Sequence, residues 1–249
     1  MEFRTLSRRN GGKTMKTKIF GATGLLAMTL ALGSCGSSSP SAQSLLSSTT
    51  SAVEGAQSVR FSDVTRVGNS AETLSGVTSA TNAQEVSLLG STIQLEVKLV
   101  GTTIYLLSPS SSILVSALGI STTVATGITN QWISITATDS PYAAIIASLS
   151  VSSILSVYYP KPSAAHLMPS KTISGVSVTP ISATIGNGVS NFQETTLFVS
   201  TKTSLPVAAS IAVKTSSTTQ SKQAVFKDWN APVSVSAPQT SITFSSISS

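Results

Sequence analysis

The sequence predicts an α+β fold, in which one antiparallel sheet is combined with a helix at its start and with helices inserted in the middle of the chain. Three observations support this. Apolar residues recur at three-and-four spacing over residues 45–57, apolar and polar residues alternate strictly through residues 92–99, and longer apolar stretches occupy residues 111–118 and 142–158. The first and third patterns are typical of helices, whereas the second is typical of a half-buried strand.

The N-terminal segment has the features of an export signal. An apolar run over residues 19–32 follows Lys16 and Lys18. It has the length of a signal-peptide core and is shorter than the roughly 20 residues that a membrane-spanning helix needs. The next residues, Leu32-Gly33-Ser34-Cys35, resemble the lipobox of bacterial lipoprotein signal peptides. That resemblance implies cleavage before Cys35 and a diacylglyceryl anchor on its thiol, with acyl chains such as palmitate; two chains together hold a protein stably on a membrane.

The domain organisation follows from this segment. We expect a signal peptide over residues 1–34, the lipidated Cys35 with a flexible Ser-rich tether over residues 35–43, and a single β-rich domain over residues 44–249. Met15 offers an alternative start, in which case residues 1–14 are a spurious extension. An ordinary secretory signal followed by an unrelated cysteine is the alternative to the lipobox.

The charge distribution excludes a nucleic-acid-binding protein. The chain has a formal net charge of +6, but six basic residues against Glu2 lie within the first 34 positions. The nine basic and eight acidic residues that remain are spread from Glu54 to Asp228. A phosphate-binding surface needs clustered Lys and Arg side chains. The single Cys and the single His likewise exclude metal sites that are built from several such ligands.

The predicted elements follow one another as helix, strands, helices and strands. Glycine-first turns at Gly90-Ser91 and Gly101-Thr102 join the alternating strand 92–99 to its neighbours, which predicts a meander. Pro141 precedes the second apolar helix, and Pro160 follows it. The remaining predicted strands cover residues 59–67, 85–89, 103–107, 132–135, 172–185, 191–201, 205–215, 223–226 and 233–235, with a loop over 160–170.

One apolar face of the meander is a candidate binding surface. Residues at alternate positions of a strand share a face, and residues at three-and-four spacing share one side of a helix. These residues either line a cavity or pack as an ordinary core, and the sequence leaves both readings open. The candidates are Ile93, Leu95, Val97 and Leu99 on the alternating strand, Ile104 and Leu106 on the next strand, and Ile145, Ile146 and Leu149 on the second apolar helix.

Several segments resemble one protein family. They are Val59-Arg60-Phe61, Gly101-Thr102-Thr103-Ile104-Tyr105, Asn130-Gln131-Trp132-Ile133-Ser134-Ile135, Leu197-Phe198-Val199-Ser200-Thr201 with Leu205-Pro206-Val207, and Phe226-Lys227-Asp228-Trp229-Asn230-Ala231-Pro232-Val233. In this order, over about residues 44–240, the sequence resembles actinobacterial lipoproteins of the LppX/LprG type, whose fold is LolA-like.

The resemblance implies a fold and a function. The fold is a strongly curved antiparallel half-barrel, with helices covering a concave face that holds an apolar cavity for acyl chains. The function is to carry or present a lipid or an acylated glycolipid within the cell envelope, from a lipid anchor on the extracytoplasmic face of the cell membrane. The alternative is a structural or sensory surface lipoprotein that binds another envelope protein and has no ligand cavity.

No catalytic motif stands out. The sequence has no Gly-x-Ser-x-Gly elbow, and His166 lies in a proline-flanked stretch. A Ser-His-Asp arrangement of His166 with Asp139 or Asp228 is a weaker hypothesis, as is a carboxylate pair of Glu85 and Glu96 for glycoside cleavage. We therefore predict a protein that is not an enzyme, with no cofactor and no metal.

Overall fold

The structure is a computed structural model that describes residues 40–186 and 191–248. Within these residues there are five α-helices and thirteen strands. The helices are α1 (Ala42–Glu54), α2 (Ser111–Leu118), α3 (Thr122–Gly127), α4 (Tyr142–Ser148) and α5 (Val151–Ser156). The strands are β1 (Ser58–Val67), β2 (Ser70–Ser79), β3 (Asn82–Leu89), β4 (Thr92–Val100), β5 (Thr103–Leu107), β6 (Ile133–Ile135), β7 (His166–Leu167), β8 (Lys171–Ile173), β9 (Val176–Gly186), β10 (Phe192–Ser200), β11 (Pro206–Lys214), β12 (Thr219–Lys227) and β13 (Ile242–Thr243).

All the strands belong to one open, curved sheet. Its order is β13-β6-β5-β4-β3-β2-β1-β12-β11-β10-β9-β7, and β8 pairs with another part of β9. Every pairing is antiparallel except that between β13 and β6. The predicted α+β half-barrel is therefore confirmed as an open curved sheet with few helices.

The strand register defines the face that the helices cover. A continuous cross-strand row runs through the middle of the sheet. Its members are Phe226, Phe61, Gly76, Glu85, Val97, Leu106 and Ile133. The apolar side chains of the row are at most 6% exposed. The row therefore lies on the concave, helix-covered face, and Glu85 is its one charged member.

Two apolar clusters fill the space between helices and sheet. The first joins α1 and α5 to β1 and to strands β9–β12, with Leu46, Val53, Phe61, Leu155 and Tyr158 among its buried members. The second joins α2 and α3 to strands β4–β6. Burial of large apolar side chains on this scale is the main contribution to the stability of a fold. The centre of the concave face lies between these two clusters.

Serine hydroxyls begin most of the helices. Ser41, Ser110, Ser121 and Ser150 each accept a hydrogen bond from a backbone N–H of the first turn of α1, α2, α3 and α5. An N-cap of this kind stabilises a helix by about 1 kcal/mol. The unusual serine content of the chain is thus used to start short helices.

The structure departs from the predicted elements in several places. The predicted helix over residues 142–158 is wrong as a single helix, because it breaks at Leu149 and restarts at the Ser150 cap. The predicted strand over 172–185 is interrupted at Ser174-Gly175, where both residues have a positive φ. No strand forms over residues 233–235. The sequence analysis did not predict α3 or the strands β2, β7 and β13, and β7 lies within the predicted loop over residues 160–170. By contrast, the turns at Gly90 and Gly101, with φ of +63° and +62°, are confirmed.

Candidate functional site

Among the described residues, two cavities lie between the helices and the middle strands of the sheet, and the larger of the two lies beside the junction between α4 and α5. Its volume is about 660 Å³, which is within the range of small-molecule sites. Three parts of the chain form its walls: the end of α1, the turn between β2 and β3, and the start of α5. Apolar side chains from the sheet and the helices, including Leu99, Ile146 and Leu149, line it together with several serines.

The smaller cavity lies between α5 and the middle of the sheet and has a volume of about 220 Å³. Its apolar walls come from the first apolar cluster and the residues packed against it, with Phe61, Leu74 and Phe226 on the sheet. Four titratable side chains also line it: Asp63, Glu85, Tyr158 and Lys222. A small number of polar groups in an otherwise apolar cavity is the usual composition of a binding site.

A hydrogen bond from the sheet fixes the helix junction beside both cavities. The Thr78 hydroxyl donates to the backbone carbonyl of Leu149, and both residues are buried. Leu149 lines the larger cavity, whereas the preceding residue, Ser148, lines the smaller one. The bond satisfies a carbonyl at the break between α4 and α5, which would otherwise be a buried unpaired acceptor. It therefore holds the helix junction against β2.

Asp63 organises the polar side of the smaller cavity. Its side chain is only 7% exposed, accepts a hydrogen bond from the Tyr158 hydroxyl, and lies 3.0 Å from Lys222 Nζ. The Lys222 ammonium also lies 5.4 Å from the centre of the Tyr158 ring, close enough for a cation–π contact. Burial raises the pKa of Tyr158, and the hydrogen bond to Asp63 and its negative charge raise this pKa further. The Thr65 hydroxyl also donates to Asp63, at 3.5 Å. The buried carboxylate is thus paired with one cation and two hydroxyls, as a stable buried charge requires.

Glu85 is the unpaired group of the smaller cavity. Its Oε1 is buried and has no hydrogen-bond partner among the described residues. Burial raises the pKa of this carboxyl from 4.5 to about 7. Since a buried polar atom without a partner costs about 1–3 kcal/mol, such atoms are uncommon in folded proteins and call for an explanation.

The structure separates the nine residues of the predicted apolar face into three groups. Leu99, Ile146 and Leu149 border the larger cavity. Val97, Ile104 and Leu106 are buried in the second apolar cluster, with Leu95 and Ile145 packed against it. Ile93 is 40% exposed and lies beyond a shift in register between β3 and β4. Three of the nine thus meet a cavity, and the role of all nine as ligand contacts stays a prediction.

The catalytic arrangements considered from the sequence do not assemble. His166 is exposed on β7, Asp139 accepts hydrogen bonds from Thr136, and Asp228 forms an ion pair with Arg60 at 3.1 Å. Glu85 and Glu96 lie on opposite faces of the sheet. Glu85 is paired with Val97 and shares its face, whereas Glu96 is adjacent to Val97 in β4 and therefore lies on the other face. Glu96 accepts a hydrogen bond from Gln84 and lies 3.4 Å from Lys98 Nζ. The carboxylate-pair hypothesis is therefore wrong, and the two aspartates of the Ser-His-Asp hypothesis have partners other than His166.

Other predictions concern the N-terminal segment and possible metal ligands. Cys35, the lipobox residues before it and most of the Ser-rich tether lie outside the described residues. Among the residues that are described, no helix is long and apolar enough to cross a membrane. Within residues 40–186 and 191–248, no three or more His, Cys, Asp or Glu side chains are arranged to hold a metal ion.

The polar side of the smaller cavity was not predicted from the sequence. A signal was present for Asp63, since it follows Val59 and Phe61 at alternate positions of β1 and therefore shares their buried face. No comparable signal exists for Tyr158 and Lys222, which are 95 and 159 positions away from Asp63 along the chain. Only the folded sheet brings them together.

Comparisons with known proteins find likeness in structure and none in sequence. A search of protein families finds no match, and a search of curated proteins finds none either. The chain is similar to LppX. This lipoprotein of Mycobacterium tuberculosis is 16% identical, with a TM-score of 0.46, and the match covers 78% of this chain and 98% of LppX.

Two further solved structures show the range of this likeness. LprF from Mycobacterium bovis is 15% identical, with a TM-score of 0.46, over 79% of this chain and 96% of LprF. The LolA superfamily protein NE2245 from Nitrosomonas europaea is 11% identical, with a TM-score of 0.27, over 79% of this chain and 96% of that protein. These are proteins of the kind that the sequence resembles. At such identities and TM-scores, nothing that they bind is carried over to this chain.

Proposed function

We propose that this protein is a lipid-binding lipoprotein of the cell envelope, which carries or presents a lipid or an acylated glycolipid and performs no catalysis. The observation that carries this proposal is the cavity of about 660 Å³ between the helices and the concave face. A cavity of this volume, bordered by Leu99, Ile146 and Leu149, is suited to part of an acyl chain. The sequence resemblance to LppX/LprG-type lipoproteins supports the same function.

The low charge of the chain also supports lipid binding. Charged side chains beside acyl chains are costly unless they are paired, and only 10% of the residues are charged. None of the residues that border the larger cavity is basic, and Glu54 is its one acidic neighbour. The larger cavity is therefore compatible with an apolar ligand.

The proposed anchor is Cys35, placed by the lipobox resemblance at the start of the mature chain. Two acyl chains on its diacylglyceryl group would hold the protein on the extracytoplasmic face of the cell membrane. The Ser-rich tether before α1, which has one proline and no charge over residues 36–41, would let the folded part move above the membrane.

Two tryptophan substitutions on α4 test the proposal. Ile146 borders the larger cavity, so Ile146→Trp should fill it and weaken the binding of a fluorescent long-chain fatty acid, displaceable by palmitate, by about tenfold. Ala143 is exposed on the same helix, so Ala143→Trp is the matched control and should bind as the natural protein does. Circular dichroism checks that both variants are folded.

Lipid extraction and mass spectrometry complete the test. Protein purified from its native membrane should release lipid beyond its covalent anchor. Absence of such lipid, together with no binding of the fluorescent fatty acid, would contradict the proposal. Recovery of one protein partner by crosslinking would then favour the second candidate, a surface lipoprotein that binds another envelope protein. The dense packing of Val97, Ile104 and Leu106 is the observation that favours this second candidate.

A further inference from the structure

The smaller cavity has a feature that an acyl chain alone would leave unexplained. Glu85 stands in the central row of the concave face, between Gly76 and Val97, where its row neighbours are apolar or glycine. Its Oε1 is buried and has no partner among the described residues. A purely apolar ligand would bury this carboxyl further and leave it unpaired. The ligand should therefore bring a hydrogen-bonding group to this point.

The other polar groups of the smaller cavity restrict the charge that the ligand's hydrogen-bonding group can carry. Lys222 and Asp63 form an ion pair at 3.0 Å, and Tyr158 donates to the same carboxylate. A cationic ligand group near Glu85 would face the Lys222 ammonium, and an anionic group would face two carboxyls. Like charges in a partly buried site repel strongly. A neutral group avoids both costs.

A hydroxyl group has the hydrogen-bonding capacity that the cavity requires. It donates to an ionised carboxylate, accepts from a protonated carboxyl, and accepts from an ammonium. Ser153 and Ser148 also line the cavity. The Ser153 hydroxyl adds a donor and an acceptor, whereas the Ser148 hydroxyl donates to the Ile145 carbonyl and adds an acceptor only. One neutral alcohol can therefore pair with Glu85 in either of its protonation states.

The smaller cavity is accessible from the surface of the molecule. Val157 is 52% exposed although it belongs to the lining, and Ser148 is also exposed. A ligand group can therefore reach Glu85 along α5 without unfolding of the sheet. The apolar side chains of Phe61, Leu74 and Ile154 would contact the chain that carries the group.

We propose that the smaller cavity binds a neutral hydroxyl group carried by the apolar chain of an amphiphile, with Glu85 and Lys222 as its hydrogen-bond partners. This inference rests on the proposed lipid-binding function and narrows its ligand to alcohol-bearing amphiphiles. The hydroxyl belongs either to the ligand's head group, as in a monoacylglycerol, or to its chain, as in a hydroxylated fatty acid.

Three probes with the same ten-carbon chain test the charge preference. Decan-1-ol, decylammonium and decyl sulfate differ only in their polar group, and calorimetric titration gives the dissociation constant of each. We expect decan-1-ol to bind about tenfold more tightly than either ion, since one well-made hydrogen bond in a buried site has this effect. A tighter complex with decylammonium or decyl sulfate would overturn the inference.

Three substitutions assign the effect to Glu85. Glu85→Leu should weaken the binding of decan-1-ol about tenfold, whereas Glu85→Gln, which keeps a donor and an acceptor, should bind within about twofold of the natural protein. Glu96→Gln on the opposite face is the control and should have no effect. Unchanged affinity in Glu85→Leu would overturn the inference.

Palmitate separates this inference from the proposed function. Binding of palmitate without a preference for decan-1-ol would overturn the hydroxyl site and leave lipid binding intact. Failure to bind palmitate, with decan-1-ol still bound through Glu85, would support the hydroxyl site and overturn the proposed capacity for long acyl chains. A comparison of monodecanoylglycerol with 12-hydroxyoctadecanoate distinguishes the two sources of the hydroxyl, and a preference for either one supports the site.

Discussion

The Thr78 hydroxyl donates a hydrogen bond to the Leu149 carbonyl, and this bond holds the break between α4 and α5 against the second strand of the sheet. The two residues are separated by 71 positions in the chain. Leu149 lines the larger cavity and Ser148 lines the smaller one, so the bond fixes a segment that contributes to both.

Replacement of this hydroxyl should loosen the helix junction. Thr78→Val keeps the shape of the side chain but leaves the Leu149 carbonyl unpaired, so the free energy of unfolding should fall by about 1–3 kcal/mol. Denaturant titration measures the change. Thr73→Val, a half-buried threonine of the same strand whose side chain lies on the other face, is the control and should change stability by less than about 0.5 kcal/mol. Equal effects of the two substitutions would contradict the role of Thr78.

The raised pKa of Glu85 makes stability depend on pH. In the unfolded chain the carboxyl loses its proton near pH 4.5, whereas in the folded protein it keeps the proton up to about pH 7. Its contribution to stability is therefore full below pH 4.5 and is lost as the pH rises through about 7. A shift of this size corresponds to at most about 3 kcal/mol.

Glu85→Gln removes this dependence, because the amide does not titrate. The free energy of unfolding of the variant, relative to that of the natural protein, should increase by up to about 3 kcal/mol between about pH 4 and pH 8. Denaturant titrations of both proteins across this range measure the difference, in which the titration of all other groups cancels. A constant difference would show that Glu85 is not buried in the folded protein.

The side chains of Tyr158 and Asp63 should be energetically coupled. Removal of the hydroxyl in Tyr158→Phe keeps the edge contact with Phe226, at 5.8 Å between ring centres, but takes one partner from a buried carboxylate. We expect a loss of about 1–3 kcal/mol. In a double-mutant cycle with Asp63→Asn, the coupling energy should exceed about 0.5 kcal/mol. Strictly additive effects would argue against the contact. Tyr105 is a half-buried tyrosine of β5, so Tyr105→Phe is the control for the loss of a tyrosine hydroxyl elsewhere in the sheet.

The proposed anchor predicts a processing defect. Cys35→Ala removes the thiol that would receive the diacylglyceryl group, so an uncleaved precursor should accumulate, and labelled palmitate should not be incorporated. Immunoblots of membrane and soluble fractions and metabolic labelling measure both effects. Ser37→Ala, two positions further on, is the control. Normal cleavage of the Cys35→Ala chain to a water-soluble product would contradict the anchor.

The sequence was most informative where strands with alternating apolar residues are joined by a glycine turn. Strands β4 and β5 were predicted within one residue of their ends, because their apolar positions alternate and Gly101 supplies the positive φ of the turn between them. Strand β2 was missed, since most of its residues are half-buried and its pattern shows no clear alternation. The helix break was missed because Ser150, which caps α5, stands among many other serines.

The candidate site was less predictable from the sequence than strands β4 and β5 were. An apolar position in a strand indicates which face is buried, but it does not distinguish a packed side chain from one that borders a cavity. Ile104 and Leu99 illustrate this, because they are paired neighbours on the same face and only Leu99 meets the larger cavity. The polar side of the smaller cavity depends on distant pairings in the sheet, which no local pattern encodes.

Short strands cover both ends of the sheet. At one end, β13 adds two residues to the short strand β6; at the other, β7 and β8 pair with different parts of the eleven-residue strand β9. An uncovered long edge would offer its free backbone groups to another chain and promote aggregation. Here the longest outer strand is occupied along much of its length by two- and three-residue segments. These short segments leave less of the β9 edge open to pairing with the sheet of another copy of this protein.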